Sequence, residues 1–529
     1  MTISGGALAA GFLILLGFAV AFALLARRIE VPYPVVLLIG GLAVSLVPGT
    51  PRFHLDPNFV FYIVLPPLLY SAAWATSWRD FSHQLVSILS LAFGLVIFTI
   101  AGVAAAAHAL FPEIGWTAGV ILGAVVAPTD PVAAGAIFSR LGLPRRLVDV
   151  IEGESLINDA TALVAVELAT VLAVAGAQPR LDVGLLRLLY VTGAAMAIGA
   201  AVAVAVDWLE RRIDDGQIEI SISLMIPYAV YLAADAVHAS GVVAVVTCGL
   251  MLTRGSAEFF SPAVRLQAYA VWNAVVFILN GVVFVLIGLQ LRDIVAGLDG
   301  MSLWHLVAAG GLFSLVVVLL RLAWVFPGAR LSFAIRRRLL HQTDPYPTSR
   351  ELVVVGWSGM RGVVSLAAAF ALPVTTAAGA PFPGRDLIVF LTFSVVVFTL
   401  VVQTLTLAPL IRRLGLEGGS GLGCEERDAR RIAVEAAIRQ LEDERRRDRP
   451  EYAALYDDLA QHYRERLEGD DADANDPRTL HHDRYRALGR QLIDAQRRAV
   501  LGLRGEGRIN DEVLRRIERD LDLEAVRLE

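Results

Sequence analysis

Long apolar runs separated by short polar connectors repeat along the chain until Gly415, and then stop. A membrane-spanning helix needs about 20 mostly apolar residues. We read thirteen such runs, with approximate cores at residues 7–26, 34–47, 58–75, 84–110, 115–138, 148–175, 184–206, 217–236, 240–253, 263–291, 303–335, 351–373 and 386–411. The second and ninth are short for a full crossing. The pattern predicts an all-α polytopic membrane protein. Two of the runs contain helix breakers. The fifth carries Pro128-Thr129-Asp130-Pro131, and the twelfth carries Gly356-Trp357-Ser358-Gly359-Met360-Arg361-Gly362.

The arginines fall unevenly between connectors. One alternating set holds Arg27 and Arg28, Arg79, Arg140, Arg145 and Arg146, Arg211 and Arg212, Arg254, Arg336 to Arg338 with Arg350, and Arg412 and Arg413. The other set holds only Arg52, Arg180, Arg292 and Arg385. Cytoplasmic loops are enriched in basic residues. The N-terminus is therefore expected outside and the C-terminus inside, which requires an odd number of spans. Spans one to six and eight to thirteen then form two halves entering the membrane in opposite directions, with the seventh as connector. Helix breakers in the fifth span of each half point to a transport site near the midplane of an inverted repeat. Unwound backbone at that depth must line a polar cavity or be buried in protein.

After Gly415 the chain changes character. The expected division is a membrane domain at 1–413, a glycine-rich linker at 414–424 and a cytoplasmic helical tail at 425–529. Residues 425–468 are charged and helix-forming, 470–477 read as an acidic loop, and 488–528 return to helical periodicity. Leu492, Ala495, Ala499, Val513, Ile517 and Leu521 recur there on repeating faces. The net charge of −5 gives no reason to expect nucleic-acid binding. Cys248 and Cys424 lie on different parts of the chain, so no disulfide or metal framework is expected. The first run lacks a basic region before it and reads as a retained helix. Neither a nucleotide-binding loop nor a Ser-His-Asp arrangement is present, so an enzyme is not expected and ion gradients are the expected energy source.

The chemistry gathers at the first break and in the span after it. An acid in an apolar membrane run costs roughly 2.5–3.5 kcal/mol on insertion scales, which makes it a functional candidate. Asp130 sits between the two prolines. Glu154, Ser155, Asn158 and Asp159 follow within two helical turns. Residues at i and i+4 share a face, which pairs Ser155 with Asp159 and Glu154 with Asn158. A hydroxyl beside a carboxylate is a hard, oxygen-rich half-site, and Thr129 can complete it. Such a set suits an alkali cation; it is too poor in acids for a permanent calcium site. Asp159 can hold a proton or a cation but not both at once, the minimum equipment for exchange. Glu154 needs a counter-charge, for which Arg321, isolated in an apolar run, is the first candidate and Arg361 the second.

These residues carry a resemblance. Ala127-Pro128-Thr129-Asp130-Pro131, Gly153-Glu154-Ser155-Leu156-Ile157-Asn158-Asp159, Gly359-Met360-Arg361-Gly362 and Gln403-Thr404-Leu405-Thr406 resemble the NhaP/NHE branch of the monovalent cation/proton antiporters. The resemblance covers residues 1 to about 413, and the tail resembles the extension of a bacterial sodium/proton subgroup. It implies a thirteen-helix inverted-repeat fold, a homodimer in the plasma membrane, and an elevator-like movement. It implies Asp159 as the carrier of Na+, Li+ or H+, with Thr129 and Ser155 as ligands and Asn158 as its partner. Asp130 becomes a polar group at the helix crossing, and Glu154 a salt-bridge acid. The sequence departs from some members at Tyr70-Ser71, where they carry an acid after Leu65-Pro66-Pro67-Leu68-Leu69. The alternatives are potassium/proton exchange, a gated cation channel, or a membrane sensor acting through the tail.

Overall fold

The structure, a computed structural model, describes residues 5–48, 53, 55–175, 181–213, 215–253, 262–298, 302–376, 379–418, 422–471, 477–506 and 508–527. Arg52, Arg180 and Arg254 lie outside the described residues, as do 419–421 of the expected linker and 472–476 of the expected acidic loop. The chain divides into two compact units, Met1–Ser420 and Gly421–Glu529.

The first unit is built from helices. α1 (Gly5–Ile29), α2 (Tyr33–Ser45), α3 (Phe59–Ala75) and α4 (Trp78–Leu110) are followed by two half-length helices, α5 (Trp116–Val126) and α6 (Val132–Leu141). Next come α7 (Arg145–Ala175), α8 (Leu181–Glu210), α9 (Gly216–Asp235) and α10 (Gly241–Thr253). After α11 (Pro262–Leu289), a short α12 (Leu291–Ala296) and the long α13 (Leu303–Leu339) comes a second half-length pair, α14 (Ser349–Trp357) and α15 (Val363–Phe370); α16 (Arg385–Leu414) closes the unit. Among the described residues, seven helices are long and apolar enough to cross a membrane, within α4, α7, α8, α9, α11 with α12, α13 and α16. Shorter apolar helices, α2, α3, α5, α6 and α10, fill the spaces between them. Leu24, Ile97, Leu186, Met225, Leu266 and Trp304 point outward, the surface of a protein solvated by hydrocarbon.

Local chemistry sets the ends. Thr348 and Glu351 form a reciprocal capping box that starts α14. Gly142 and Gly415 adopt left-handed conformations that stop α6 and α16. Pro66 and Pro67 lack backbone N–H groups, and the turn before them, Phe59–Val64, widens to π-helix where the regular ladder would fail. α2 and α11 touch through backbone: a Cβ on Gly41 would lie 2.5 Å from Val285 O, and one on Gly288 2.5 Å from Leu38 O. α4 and α5 pack similarly, with Gly123 against the Ile100 backbone.

The second unit contains α17 (Leu422–Arg447), α18 (Ala453–Asp471), α19 (Pro477–Gly505) and α20 (Asp511–Arg527), with α17 against α18 and α19 against α20. Arg445 pairs with Asp457 at 2.6 Å across the first hairpin. Among the described residues, the buried side chains are Ala460, Ile493, Leu514 and Leu521. Of the expected face, Leu521 is buried and Ile517 half-buried, whereas Leu492, Ala495, Ala499 and Val513 are exposed, and Ile493 and Leu514 take the inward places beside them. Turning the branched Ile493 and Leu514 inward removes more apolar area from water than turning in alanines.

Candidate functional site

The two interrupted runs meet at their breaks. Residues 127–131 and 358–362 leave the helical conformation and pass each other, stitched by the Asp130 N–H donating to Met360 O at 2.8 Å. Half-helices that end in the middle of a protein leave bare carbonyls at one end and bare N–H groups at the other. Here side chains meet them with the matching charge. Arg361 Nε donates to Val126 O at 3.0 Å, at the C-terminal end of α5, and its Nη1 donates to Gly359 O. The Asp130 carboxylate accepts from Val132 N–H at 2.9 Å, at the N-terminal end of α6. It also lies against Gly362 at the start of α15, where any Cβ would collide with it. The Arg361 N–H donates to Thr399 Oγ1 of α16 at 3.0 Å.

α7 passes beside this crossing and presents its polar turns to it. Glu154 is fully buried and Arg321 of α13 is 1% exposed. They form a two-pronged ion pair, Arg321 Nη2 to Glu154 Oε2 at 2.7 Å and Nη1 to Oε1. Arg321 also donates to Val355 O at 3.1 Å, and a Cβ at Gly359 would collide with its guanidinium. Arg361 does not join this pair; its guanidinium is spent on main-chain carbonyls. Asn158 Nδ2 donates to Thr129 Oγ1 at 2.7 Å, and Thr129 Oγ1 in turn donates to Glu154 Oε1 at 3.4 Å. Ser155 Oγ donates to the Thr129 carbonyl. The predicted residues Thr129, Asp130, Glu154, Ser155, Asn158, Asp159, Arg321 and Arg361 are thus brought to one place.

Asn158 and Asp159 are buried side chains that each keep an oxygen, their Oδ1, without a hydrogen-bond partner. Of the two, Asp159 is the one on a cavity wall. It lines a cavity of about 290 Å³ together with Thr129, Asp130, Ser155, Gly362 and Asn280. Leu65, Leu68, Leu69 and Ala72 make the wall that α3 contributes. Tyr70 and Ser71 do not line it: Tyr70 packs on Trp272 with ring centroids 5.3 Å apart, and Ser71 Oγ donates to Leu68 O. Sequence reasoning missed Asn280. Its signal was a lone amide in the apolar stretch from Ala274 to Leu289, read only as part of a span.

A buried carboxylate with a free oxygen, a hydroxyl on the same helix face and an unwound chain opposite have the chemistry to hold a small cation or a proton. The transmembrane sodium/hydrogen exchanger family matches residues 13–413. A protein of Mycobacterium tuberculosis named an uncharacterized Na+/H+ exchanger is 35% identical over 524 residues, 95% of this chain and 93% of that relative. The Na+/H+ antiporter ApNhaP of Aphanothece halophytica is 31% identical over 415 residues, 78% of this chain and 75% of its own. The sodium proton antiporter MjNhaP1 of Methanocaldococcus jannaschii shares the fold, with a TM-score of 0.60 at 17% identity over 77% of this chain and 98% of the other. On the match along the whole membrane unit, the chain belongs to the sodium/hydrogen exchanger family and is a cation/proton antiporter of the NhaP type.

Proposed function

We propose that the protein exchanges Na+ or Li+ for H+ one for one across the plasma membrane, with Asp159 holding either cation in turn. The observation that carries this reading is the unpartnered Asp159 Oδ1, buried yet facing the cavity at the crossing. Ser155 and the Thr129 oxygens serve as the other ligands. Asn158 holds Thr129 in place, Asp130 stays at the crossing to balance the half-helix ends, and Glu154 with Arg321 is a structural pair. At ordinary charges, Arg321 and Arg361 set against Asp130, Glu154 and Asp159 leave one negative charge. Na+ or H+ removes it equally, so both loaded forms cross with the same charge.

The remaining architecture is proposed with it. Residues 1–413 form thirteen spans in two inverted six-helix halves, joined by a linker at 414–424 to a cytoplasmic tail at 425–529. The N-terminus lies outside, and the protein works as a homodimer whose crossing domain moves as an elevator. Thr76, Ala136 and Glu152 extend the cavity toward the loops bearing Arg79, Arg140, Arg145 and Arg146. On the positive-inside rule this conformation opens to the cytoplasm.

The test is exchange in proteoliposomes with an imposed pH gradient and an internal pH-sensitive dye, comparing Na+, Li+ and K+. Na+ and Li+ dissipate the gradient in wild type and leave it intact in a folded Asp159→Asn protein. Substantial Na+/H+ exchange in that mutant would remove Asp159 from the mechanism, and a preference for K+ would replace the substrate.

A further inference from the structure

The cavity at the crossing is lined, among the described residues, by two side chains that each hold a buried polar atom without a hydrogen-bond partner. One is the acceptor Asp159 Oδ1; the other is the donor Asn280 Nδ2. They come from different parts of the fold. Asp159 is on α7 beside the crossing. Asn280 is in the middle of α11, whose backbone is closed against α2 through Gly41 and Gly288. We propose that Asn280 is a specificity-determining contact for the transported cation, offered to the Asp159 site from the α2–α11 wall. This rests on the reading of Asp159 as the carrier.

A structural amide buried in an apolar helix has its donors and acceptor engaged. Gln290, just beyond the end of α11, meets that description. Its Nε2 donates to Phe53 O at 2.7 Å and to Leu286 O at 3.1 Å, and its Oε1 accepts from Leu55 N–H at 3.3 Å. Asn280 is equally buried at 3% exposure and lines the cavity, and its Nδ2 has no hydrogen-bond partner. The Tyr33 phenol of α2 lies beside the same amide. A phenol both donates and accepts, so it can hold either end of the amide. Turning the amide about its last torsion therefore exchanges what the cavity meets. Nδ2–H suits the bare carboxylate, and Oδ1 suits a Na+ ion held by Asp159 or the O–H of the protonated acid. The rest of the α3 side of the cavity is apolar at Leu65, Leu68 and Leu69 and gives a dehydrated ion nothing. Asn280 thus sets how well a cation is coordinated on the side facing away from the crossing.

The experiment compares wild type, Asp159→Asn, Asn280→Ala and Asn280→Ser in the same proteoliposomes, reading KM and maximal rate for Na+ and Li+. Asn280→Ala is expected to raise the KM for Na+ about tenfold and to change the Na+/Li+ ratio, with the maximal rate held within about twofold. Asn280→Ser, which keeps an oxygen, is expected to recover part of the affinity. An unchanged KM and ion ratio in Asn280→Ala, or a fall in maximal rate alone, would overturn the assignment and leave a packing role. Should Asn280→Ala fail to purify, the Na+ concentration that raises the melting temperature of Asn280→Ser decides: a midpoint equal to wild type overturns the proposal, and a higher one supports it. Absence of exchange in wild type, or persistence in Asp159→Asn, would instead strike the carrier reading.

Discussion

At the scale of single residues, the site separates a charge that is neutralised from one that is free to change partners. Glu154 gives both oxygens to Arg321, while Asp159 keeps one oxygen open. Removing one partner of a buried pair strands the other charge, at a typical loss of about 3–5 kcal/mol. Glu154→Gln should therefore lower the melting temperature sharply while the apparent Na+ affinity of surviving protein stays near wild type. The double change Glu154→Gln with Arg321→Met should recover part of the stability. Unaltered melting with much weaker Na+ binding would make Glu154 a ligand. Competition at Asp159 fixes a sign as well. The KM for Na+ should rise as pH falls on the Na+ side, approaching about tenfold per pH unit once the acid is mostly protonated. A KM that ignores pH would mean that proton and cation occupy different groups. Much of this was legible because acids and isolated arginines are conspicuous in apolar runs. The position of Arg361 was not: its guanidinium partners are the Val126 and Gly359 carbonyls, which leave no trace in side-chain identity. Asn280 was hidden for another reason, since the cavity it faces is assembled from distant helices.

At the scale of elements, the breaks could be read from Pro128, Pro131, Gly359 and Gly362, yet why those glycines are needed appears only in three dimensions. Gly359 makes room for Arg321 and Gly362 for Asp130. Gly362→Ala should therefore displace the Asp130 carboxylate and α15 together, and lower the exchange rate by more than about tenfold with the protein still inserted. Wild-type exchange in Gly362→Ala would mean that Asp130 can shift freely and is not needed where it stands. The π-helical turns in α3, α4 and α16 had no sequence signature beyond the nearby prolines of α3. In the tail, Leu521 and Ile517 face inward as expected, and the outward turn of Ala495 and Ala499 was not legible because alanine fits either side of a helix.

At the scale of the whole molecule, one net negative charge in the empty site predicts electroneutral turnover. An elementary charge moved across 100 mV is worth about 2.3 kcal/mol, so a charged step would be obvious. Exchange rates measured at zero and at a large negative clamped potential should coincide, and solid-supported membranes should carry no steady current. A rate that follows the potential would mean that Asp130 or Glu154 also titrates during the cycle. The hydrogen bond from the Asp130 amide to the Met360 carbonyl has a further consequence for how this protein must be studied. It joins the two interrupted strands of chain without using any side chain. An alanine scan leaves it intact at every position, so the seam tying both segments together would go unnoticed in any conventional mutant library. Replacing residue 130 by its α-hydroxy analogue, which swaps that one amide for an ester and keeps the carboxylate, would remove the donor of the seam, at the side cost of a weaker Thr129 carbonyl for Ser155.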